Sequence, residues 1–547
     1  MRSKKGSGGA RRVDGSGQLA LESMSNVGVA APSAVTGGAV VFCDPAPDRI
    51  AVGSLVLAQF MEMHSLGWVV DMRKLLRGLD WQACVSRYKP GGRHPYHPAA
   101  MVGLLLLGHM TGRTSLRQME AMARTDLRAW WLTGGVMPDF TSLCRFVQRH
   151  QDDLTEATFE ALTAKILKLL GSLAASVSID GTVVQAAASR WHLLKQEAAA
   201  AAATQTRQAA DAAPNDKALA NKAQMAQAAH ETVLERDQRR TARGREPEAK
   251  VAPCEPEAVY QPLKHGGYAP SYKPSAAANA DRIITGKDVH PCNEVTQVDH
   301  LLAQTERVAG APVTTALFDA GYNAAEVLDI GECRGIELLI PEGKSTGSDE
   351  SWVQARTKLG KDKFSYGAET NSYTCPQGRR LVFDHRCKSS GGKPAYVRYK
   401  SQDCRDCPLA ERCLSKGARQ RTLKRYAHDG RKDALRLKMQ QPEIRQRYKK
   451  RQAHIEPVHS EQKRVQGMTR FRRRGLRRVK LEYSLHCMAH NLRRFGVLGS
   501  RRPTASRGRG ACQRRRRAPA SGLLGARRRT QRCHPRLASG WRHPARR

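Results

Sequence analysis

The chain has 547 residues, of which 40% are hydrophobic, and a formal net charge of +42. This length and apolar content are sufficient for two or three folded units, so a wholly disordered chain is excluded. The charge exceeds what solubility requires, and we therefore expect a polyanionic partner, most commonly nucleic acid.

A membrane-spanning segment is not expected. The best apolar run, Met101 to Leu107, is much shorter than the roughly 18 to 20 residues that a span needs. Asp14 and Glu22 interrupt the basic N-terminus before the apolar region of a signal peptide develops. The sequence therefore predicts a cytoplasmic protein with no membrane partner.

The N-terminal third is predicted to begin disordered and to continue as helices. Residues 1–45 are rich in Gly, Ala and Ser without a helical or strand period. From 46 to 165 the apolar residues recur at helical spacing, which predicts an all-α N-terminal domain. Its last predicted helix exposes a polar face formed by Arg145, Gln148, Arg149 and His150. A helix-turn-helix protein uses such a face on DNA, and the alternative is a packing domain with a solvated basic face.

Strand signals follow, within residues 170–497. The strings "SLAASVSIDG" and "VTTALFDAGY" are apolar runs that each lead into an acid and a glycine, at Asp180 and Asp319. The strings "DRIITGKDV" and "GIELLIPEG" predict further short strands, and helical segments alternate with them, which indicates an α/β sheet. Residues 190–260 are Ala-rich and charged, and we predict that they form a helical insertion.

A cluster of cysteines marks a second insertion, which we place at 346–435. Its Cys-x-x-Cys pair resembles half of a zinc site, and one upstream and one downstream cysteine could complete it. The predicted ligands are Cys375, Cys404, Cys407 and Cys413. Cys387 is then the spare cysteine, and the alternative to a structural Zn²⁺ is a set of free thiols in a loop-rich insertion.

The last segment, 498–547, is predicted to be a disordered Arg-rich tail. From Gly499 onward it contains sixteen Arg and no Lys, Asp or Glu, a composition that cannot form a packed core. A frameshift in GC-rich coding DNA would explain this composition, and a native nucleic-acid-binding tail is the alternative. Without the tail the charge is 42 − 16 = +26, so a DNA partner is still expected.

Three acids could form a site for phosphoryl transfer to or from DNA. Such chemistry uses divalent metals, and Mg²⁺ prefers carboxylate and water ligands. Asp180 and Asp319 are each predicted at the end of a strand, where α/β proteins bind ligands. Glu456 lies on a basic helical segment, and Lys463 returns to the same face two turns later. Taken singly, an acid in such a position is more often a turn or solvated residue than a catalytic one.

Four ordered blocks together resemble the DDE transposases of bacterial insertion sequences. Three are "SIDGTVVQAAASR", "ALFDAGYNAAEVL" and the block that begins "HIEPVHSEQKRVQGMTRFRRRGLRRVKLEYSLHCMAHNLRR"; the fourth is the helical N-terminal stretch. The resemblance spans roughly residues 50 to 497. It implies an α/β fold with a ribonuclease-H-like catalytic core that carries insertions and follows the all-α domain. It also implies that Asp180, Asp319 and Glu456 form the catalytic, metal-binding triad.

The third block of that family carries a Tyr, an Arg, the Glu and a Lys, which correspond to Tyr448, Arg451, Glu456 and Lys463. Arg451 lies one residue further from the Glu than is usual. Relatives often have an aromatic residue and a Gly after the Glu-Pro, whereas this chain has His459 and Ser460.

The activity implied by the resemblance is Mg²⁺-dependent nicking at the ends of the element, with Mn²⁺ as a substitute, followed by attack of the freed 3′ hydroxyl on target DNA. Tyr448, Arg451 and Lys463 would then bind the DNA phosphates, and the Arg-rich residues 470 to 479 would neutralise others. The implied partners are the terminal repeats, target DNA and further copies of the chain, in association with the bacterial nucleoid.

Two other functions would retain the basic surface. A non-catalytic DNA-binding remnant of a transposase would bind element ends without cutting them. A metal-dependent nuclease would cut without strand transfer.

Overall fold

A computed structural model describes residues 40–242, 244–264, 266–342, 359–389, 394–402 and 404–499. The predicted disordered N-terminus lies outside the described residues up to position 39, and so does the predicted Arg-rich tail from position 500. Residues 343–358 of the predicted cysteine-containing insertion lie outside them as well.

The N-terminal region is helical and follows a short hairpin of β1 (Ala51–Val52) and β2 (Leu55–Val56). Its helices are α1 (Leu57–Met63), α2 (Gly67–Arg77), α3 (Gln82–Val85), α4 (Pro98–Met110), α5 (Leu116–Thr125), α6 (Leu127–Thr133), α7 (Phe140–Arg149), α8 (Gln151–Thr155) and α9 (Ala157–Leu170). Helix α4 is buried along its whole length because it is apolar on every side. It begins with a proline in the first turn, a position where the missing N–H costs no hydrogen bond.

A mixed sheet forms the centre of the α/β region. Its strands are β3 (Ser176–Gly181), β4 (Val184–Gln185), β5 (Val259–Pro262), β6 (Tyr268–Ala278), β7 (Ile284–His290), β8 (Thr315–Leu317) and β9 (Glu337–Leu339). Strands β3, β8 and β9 are parallel neighbours, whereas β6 pairs antiparallel with β3, β4, β5 and β7. Five of the strands therefore follow the order β7-β6-β3-β8-β9.

Four helices lie between the strands of this sheet. Helix α10 (Gln196–Ala212) and helix α11 (Lys217–Thr241) form the Ala-rich insertion between β4 and β5, and they pack against each other. Helix α12 (Val298–Ala309) joins β7 to β8, and helix α13 (Ala325–Arg334) joins β8 to β9. The buried face of α12 packs with apolar residues of β3 and β8 in one core. The described chain is thus an α/β protein with a helical N-terminal region.

The cysteine-containing segment forms a second, antiparallel sheet. Its strands are β10 (Ser365–Gly367), β11 (Ser372–Thr374), β12 (Arg380–Cys387), β13 (Tyr396–Ser401) and β14 (Thr422–Arg425), paired in chain order. A one-turn helix, α14 (Ala410–Cys413), lies between β13 and β14.

The last described helices return the chain to the central sheet and the N-terminal region. They are α15 (Asp429–Gln440), α16 (Pro442–Arg464) and α17 (Leu476–Gly499). Helix α16 continues through Pro457 and packs against β3 and β6. Helix α17 is buried from Leu481 to Leu492 and shares one hydrophobic core with α4 and α9. The N-terminal helical region therefore packs against α17, the last described helix of the chain.

Candidate active site

Asp180 and Asp319 lie side by side at one edge of the central sheet. Strands β3 and β8 are parallel, with Ser178 opposite Leu317. Each aspartate follows its partner residue by two positions, so the register places both at the carboxyl ends of adjacent strands. This is the edge where α/β sheets usually bind ligands.

The Asp180 carboxylate is held in a partly desolvated position. Burial raises its pKa to about 6, and the nearby charges of Asp319 and Glu294 act in the same direction. The guanidinium of Arg451, 3.2 Å from Asp180 Oδ1, opposes this increase. A cation bound at Asp180 would favour the ionised form of this carboxyl group.

Asp319 begins the turn that follows β8. Its Oδ1 accepts a hydrogen bond from the Gly321 amide at 2.8 Å, which fixes the carboxyl group at the start of the 3-10 turn Ala320–Tyr322. The Tyr322 side chain is fully buried. Burial raises the pKa of its hydroxyl, and the negative charges of Glu294, Asp180 and Asp319 contribute. These four side chains therefore share one region of the sheet edge.

Helix α16 brings three of the predicted phosphate-binding residues to this edge. The Tyr448 hydroxyl donates to the Phe318 carbonyl at 2.9 Å, next to Asp319. Arg451 pairs with Asp180. Lys463 Nζ donates to Thr182 Oγ1 at 2.5 Å and to a neighbouring carbonyl, just beyond the end of β3.

The structure does not place Glu456 in the same way. Glu456 is exposed, and its Oε2 accepts a hydrogen bond from Gln452 at 3.1 Å. It lies two turns before Lys463 on α16 and so shares the helix face from which Lys463 reaches the end of β3. The structure thus brings Asp180 and Asp319 together and leaves Glu456 at an exposed position on the adjacent helix.

Glu294 is an acid at this edge that the sequence analysis missed. Its Oε2 would lie 2.8 Å from a Cβ atom placed on Gly181, so it packs directly against the residue that follows Asp180. Lys273 Nζ lies 3.2 Å from the same oxygen. The available signal was an acid between a predicted strand and a predicted helix, but no glycine or apolar run marks it.

His459 is buried on the sheet-facing side of α16. Burial lowers its pKa to about 4, and the charge of Lys463 adds to this effect. The neutral imidazole therefore acts as a packing group, whereas Ser460 is exposed.

The proposed helix-turn-helix face requires a correction. Arg145, Gln148 and Arg149 are exposed on α7, but His150 is fully buried and its Nε2 lies 3.0 Å from the Tyr88 hydroxyl. His150 follows the end of α7 and faces the interior because the chain turns there into α8. It is not available to contact DNA.

A wide cavity of about 770 Å³ lies beside α7, and we call it the basic groove. Five arginines contribute to its lining: Arg470, Arg472, Arg473, Arg474 and Arg478. Gln148 and Gln151 line it from the helical region. The carboxylate of Glu482 accepts hydrogen bonds from the Arg472 and Arg473 amides, which fixes the arginine-rich loop.

The four predicted zinc ligands line a common cavity. Cys375, Cys404, Cys407 and Cys413 all line one small cavity beside the antiparallel sheet, and Cys387 is not among its lining residues.

Two family models match the chain, and both describe transposases. Residues 64–149 match "Transposase domain (DUF772)", and residues 374–495 match "Transposase DDE domain". No curated protein and no solved structure matches. The two matches support a DDE transposase of an insertion-sequence family.

The matched domains indicate a transposase role, with DNA as substrate and partner and a divalent metal cation in the general case. The DDE match begins one residue before Cys375 and includes Glu456, whereas Asp180 and Asp319 precede it. Among the described residues, no helix has the combination of length and apolar character that crossing a bilayer requires.

Proposed function

We propose that the chain nicks DNA at the ends of its insertion sequence and joins the freed 3′ ends to target DNA. The observation that carries the proposal is the parallel register of β3 and β8, which makes Asp180 and Asp319 neighbours at the sheet edge. The strand order β7-β6-β3-β8-β9, in which β6 runs opposite to the other four strands, supports a ribonuclease-H-like core.

The donor set fits a divalent cation of the Mg²⁺ type. Two adjacent carboxylates supply hard oxygen ligands, and a cation would offset the desolvation that burial imposes on Asp180. We propose that Asp180, Asp319 and Glu456 hold Mg²⁺, with Mn²⁺ as a substitute. When bound, the cation supplies charge stabilisation and activates the attacking oxygen.

The chain's own side chains would position the DNA strand. Lys463 projects past the end of β3 toward the edge that carries Asp180, so it can bind a phosphate there. The hydroxyl of Tyr448 is fixed by its hydrogen bond to the Phe318 carbonyl, so the Tyr448 side chain lines the site beside Asp319. Arg451 pairs with Asp180, and it can exchange this carboxylate for a phosphate when a cation binds the acid.

The test is Mg²⁺-dependent nicking and strand transfer on duplexes that carry the element's terminal repeats. Asp180→Ala, Asp319→Ala and Glu456→Ala should each reduce cleavage to roughly one hundredth of the parent rate or less, with DNA binding retained. Full cleavage by any of these variants would remove that residue from the triad.

The same assay separates the alternatives. An intact chain that binds the repeats but never cuts, even after removal of the residues beyond 498, is a DNA-binding remnant. Cutting without joining would indicate a nuclease. We also propose that two or more copies act on paired ends, and cross-linked synaptic complexes containing both ends would test this.

A further inference from the structure

The antiparallel sheet has little hydrophobic core to stabilise it. Its buried apolar cluster is Phe364, Tyr373, Leu381, Tyr399, Cys413 and Leu423. Small folded units with so few buried residues usually need a metal, disulfides or other cross-links. Four cysteines line one cavity next to this cluster, so a bound metal is a candidate for additional stabilisation.

The four cysteines lie in three separate parts of the segment. Cys375 follows β11 in a tight turn, where its amide donates to the Arg379 carbonyl at 2.8 Å and the Gly378 amide donates back to its carbonyl at 2.9 Å. Gly378 has a φ of +72°, a value that favours glycine and closes the turn around the thiol.

The Cys-x-x-Cys pair forms the second part and α14 the third. The Cys407 amide donates to the Cys404 carbonyl at 3.2 Å, and the Ala410 amide donates to the Cys407 carbonyl at 2.8 Å. These hydrogen bonds close a tight turn, and both cysteines line the same cavity. Helix α14 then places Cys413 in the same cavity.

The cavity is large enough for one ion, and two arginines beside it can balance the charge of a metal bound to four thiolates. Its volume is about 20 Å³, enough for a single water-sized occupant. Arg379 and Arg421 also line it, and Arg421 is anchored by the Cys413 and Leu359 carbonyls at 2.9 and 2.8 Å. A divalent ion with four thiolates carries two net negative charges, which these two guanidinium groups balance.

The fifth cysteine of the segment lies apart from this cavity. Cys387 ends β12 opposite Tyr396, at the far end of the hairpin from the cavity.

We propose that Cys375, Cys404, Cys407 and Cys413 bind one structural Zn²⁺ that stabilises the antiparallel sheet. Zinc fits because soft thiolates in a closed four-ligand set select it over Mg²⁺. The site is separate from the acids at the edge of the central sheet, so it does not depend on the proposed catalysis.

The first measurement is the zinc content of the full chain, purified under reducing conditions and exchanged into metal-free buffer. We expect one zinc per chain. Cys404→Ser and Cys407→Ser should each lose most of it, and the matched control Cys387→Ser should retain it. Asp180→Ala should also retain zinc, which separates this proposal from the proposed function.

A second measurement does not require the variants to fold. Exchange of the wild-type chain with Co²⁺ should give the intense thiolate-to-cobalt charge-transfer absorption and the visible bands of tetrahedral coordination. Chelation should lower the thermal stability of the wild-type chain and of Cys387→Ser. A wild-type chain that neither retains zinc nor takes up Co²⁺ in this form would overturn the proposal, as would equal zinc in Cys387→Ser and Cys404→Ser.

Discussion

The acids at the sheet edge differ at the residue level in what holds them. Asp180 pairs with Arg451, and Asp319 is fixed by the Gly321 amide. Glu294 packs against Gly181 and pairs with Lys273, so its carboxylate is fixed close to the candidate metal site without lying on a strand end. Its position is suited to a metal ligand or to a residue that orients one.

We predict that Glu294→Gln weakens the binding of divalent metal. Loss of its negative charge should raise the Mn²⁺ concentration needed for half-saturation by roughly 10- to 100-fold, the range for residues that support metal ligands. Isothermal titration with Mn²⁺ measures the binding directly. The control is Glu326→Gln, an exposed acid in the first turn of α13. Unchanged Mn²⁺ affinity in Glu294→Gln would show that Glu294 only packs the sheet edge.

The sequence alone predicts the positions of two acids of the site but not that of the third, Glu294. Asp180 and Asp319 follow apolar strands and precede glycines, a local pattern that can be recognised without the fold. Glu294 follows a short loop that contains Pro291, and its proximity to Asp180 depends on the pairing of β6 with both β3 and β7. Nonlocal pairing of this kind leaves no local pattern.

At the level of elements, a pair of buried histidines lies where α4 meets α17. The rings of His109 and His486 are 4.8 Å apart. His109 Nδ1 donates to the Leu105 carbonyl at 2.8 Å, and His486 Nδ1 donates to Gln466 Oε1 at the same distance. Burial lowers the pKa of His109 to about 4 and that of His486 well below its ordinary value. Both rings are therefore neutral in the folded protein.

This pair predicts a loss of stability in mild acid. Below about pH 6.5 the unfolded chain binds protons that the folded chain excludes, so the free energy of unfolding falls as the pH decreases toward 4. His109 alone should cost roughly 2 kcal/mol between about pH 7.5 and about pH 5. Urea unfolding at the two pH values measures this difference. His109→Leu should reduce it, whereas replacement of the exposed His192 should leave it unchanged.

Two sets of strands could not be predicted from their own sequence. Strand β6, "YAPSYKPSAAA", pairs with four other strands, yet it contains two prolines and several alanines, which disfavour a central strand. The Pro270 and Pro274 carbonyls still accept hydrogen bonds from the Ala186 and Thr182 amides, so both residues stay paired with neighbouring segments although proline has no N–H group. Strands β10 to β14 were also missed, because their small core is completed by residues distant in sequence.

At the level of the whole described chain, the helical region and the C-terminal helix form one core. Apolar residues of α4, α9 and α17 belong to the same cluster, so the region 46–165 is not packed independently of the block that carries Glu456. The basic groove lies along this junction, with Gln148 on one side and the arginine-rich loop on the other. A DNA strand bound there would contact both matched transposase regions.

We predict that the basic groove binds DNA phosphates and that its arginines set much of the salt dependence. Arg474→Ala with Arg478→Ala removes two exposed groove cations, which should lower the slope of log affinity against log salt by roughly 1.8, or about 0.9 for each phosphate contact. The control is Arg477→Ala: Arg477 is a neighbouring exposed arginine that pairs with Asp152. Fluorescence anisotropy with a terminal-repeat duplex over a series of salt concentrations gives both slopes. Equal slopes for the double variant and the parent would place the DNA elsewhere on the molecule, because a cation that contacts no phosphate releases no counterion when DNA binds.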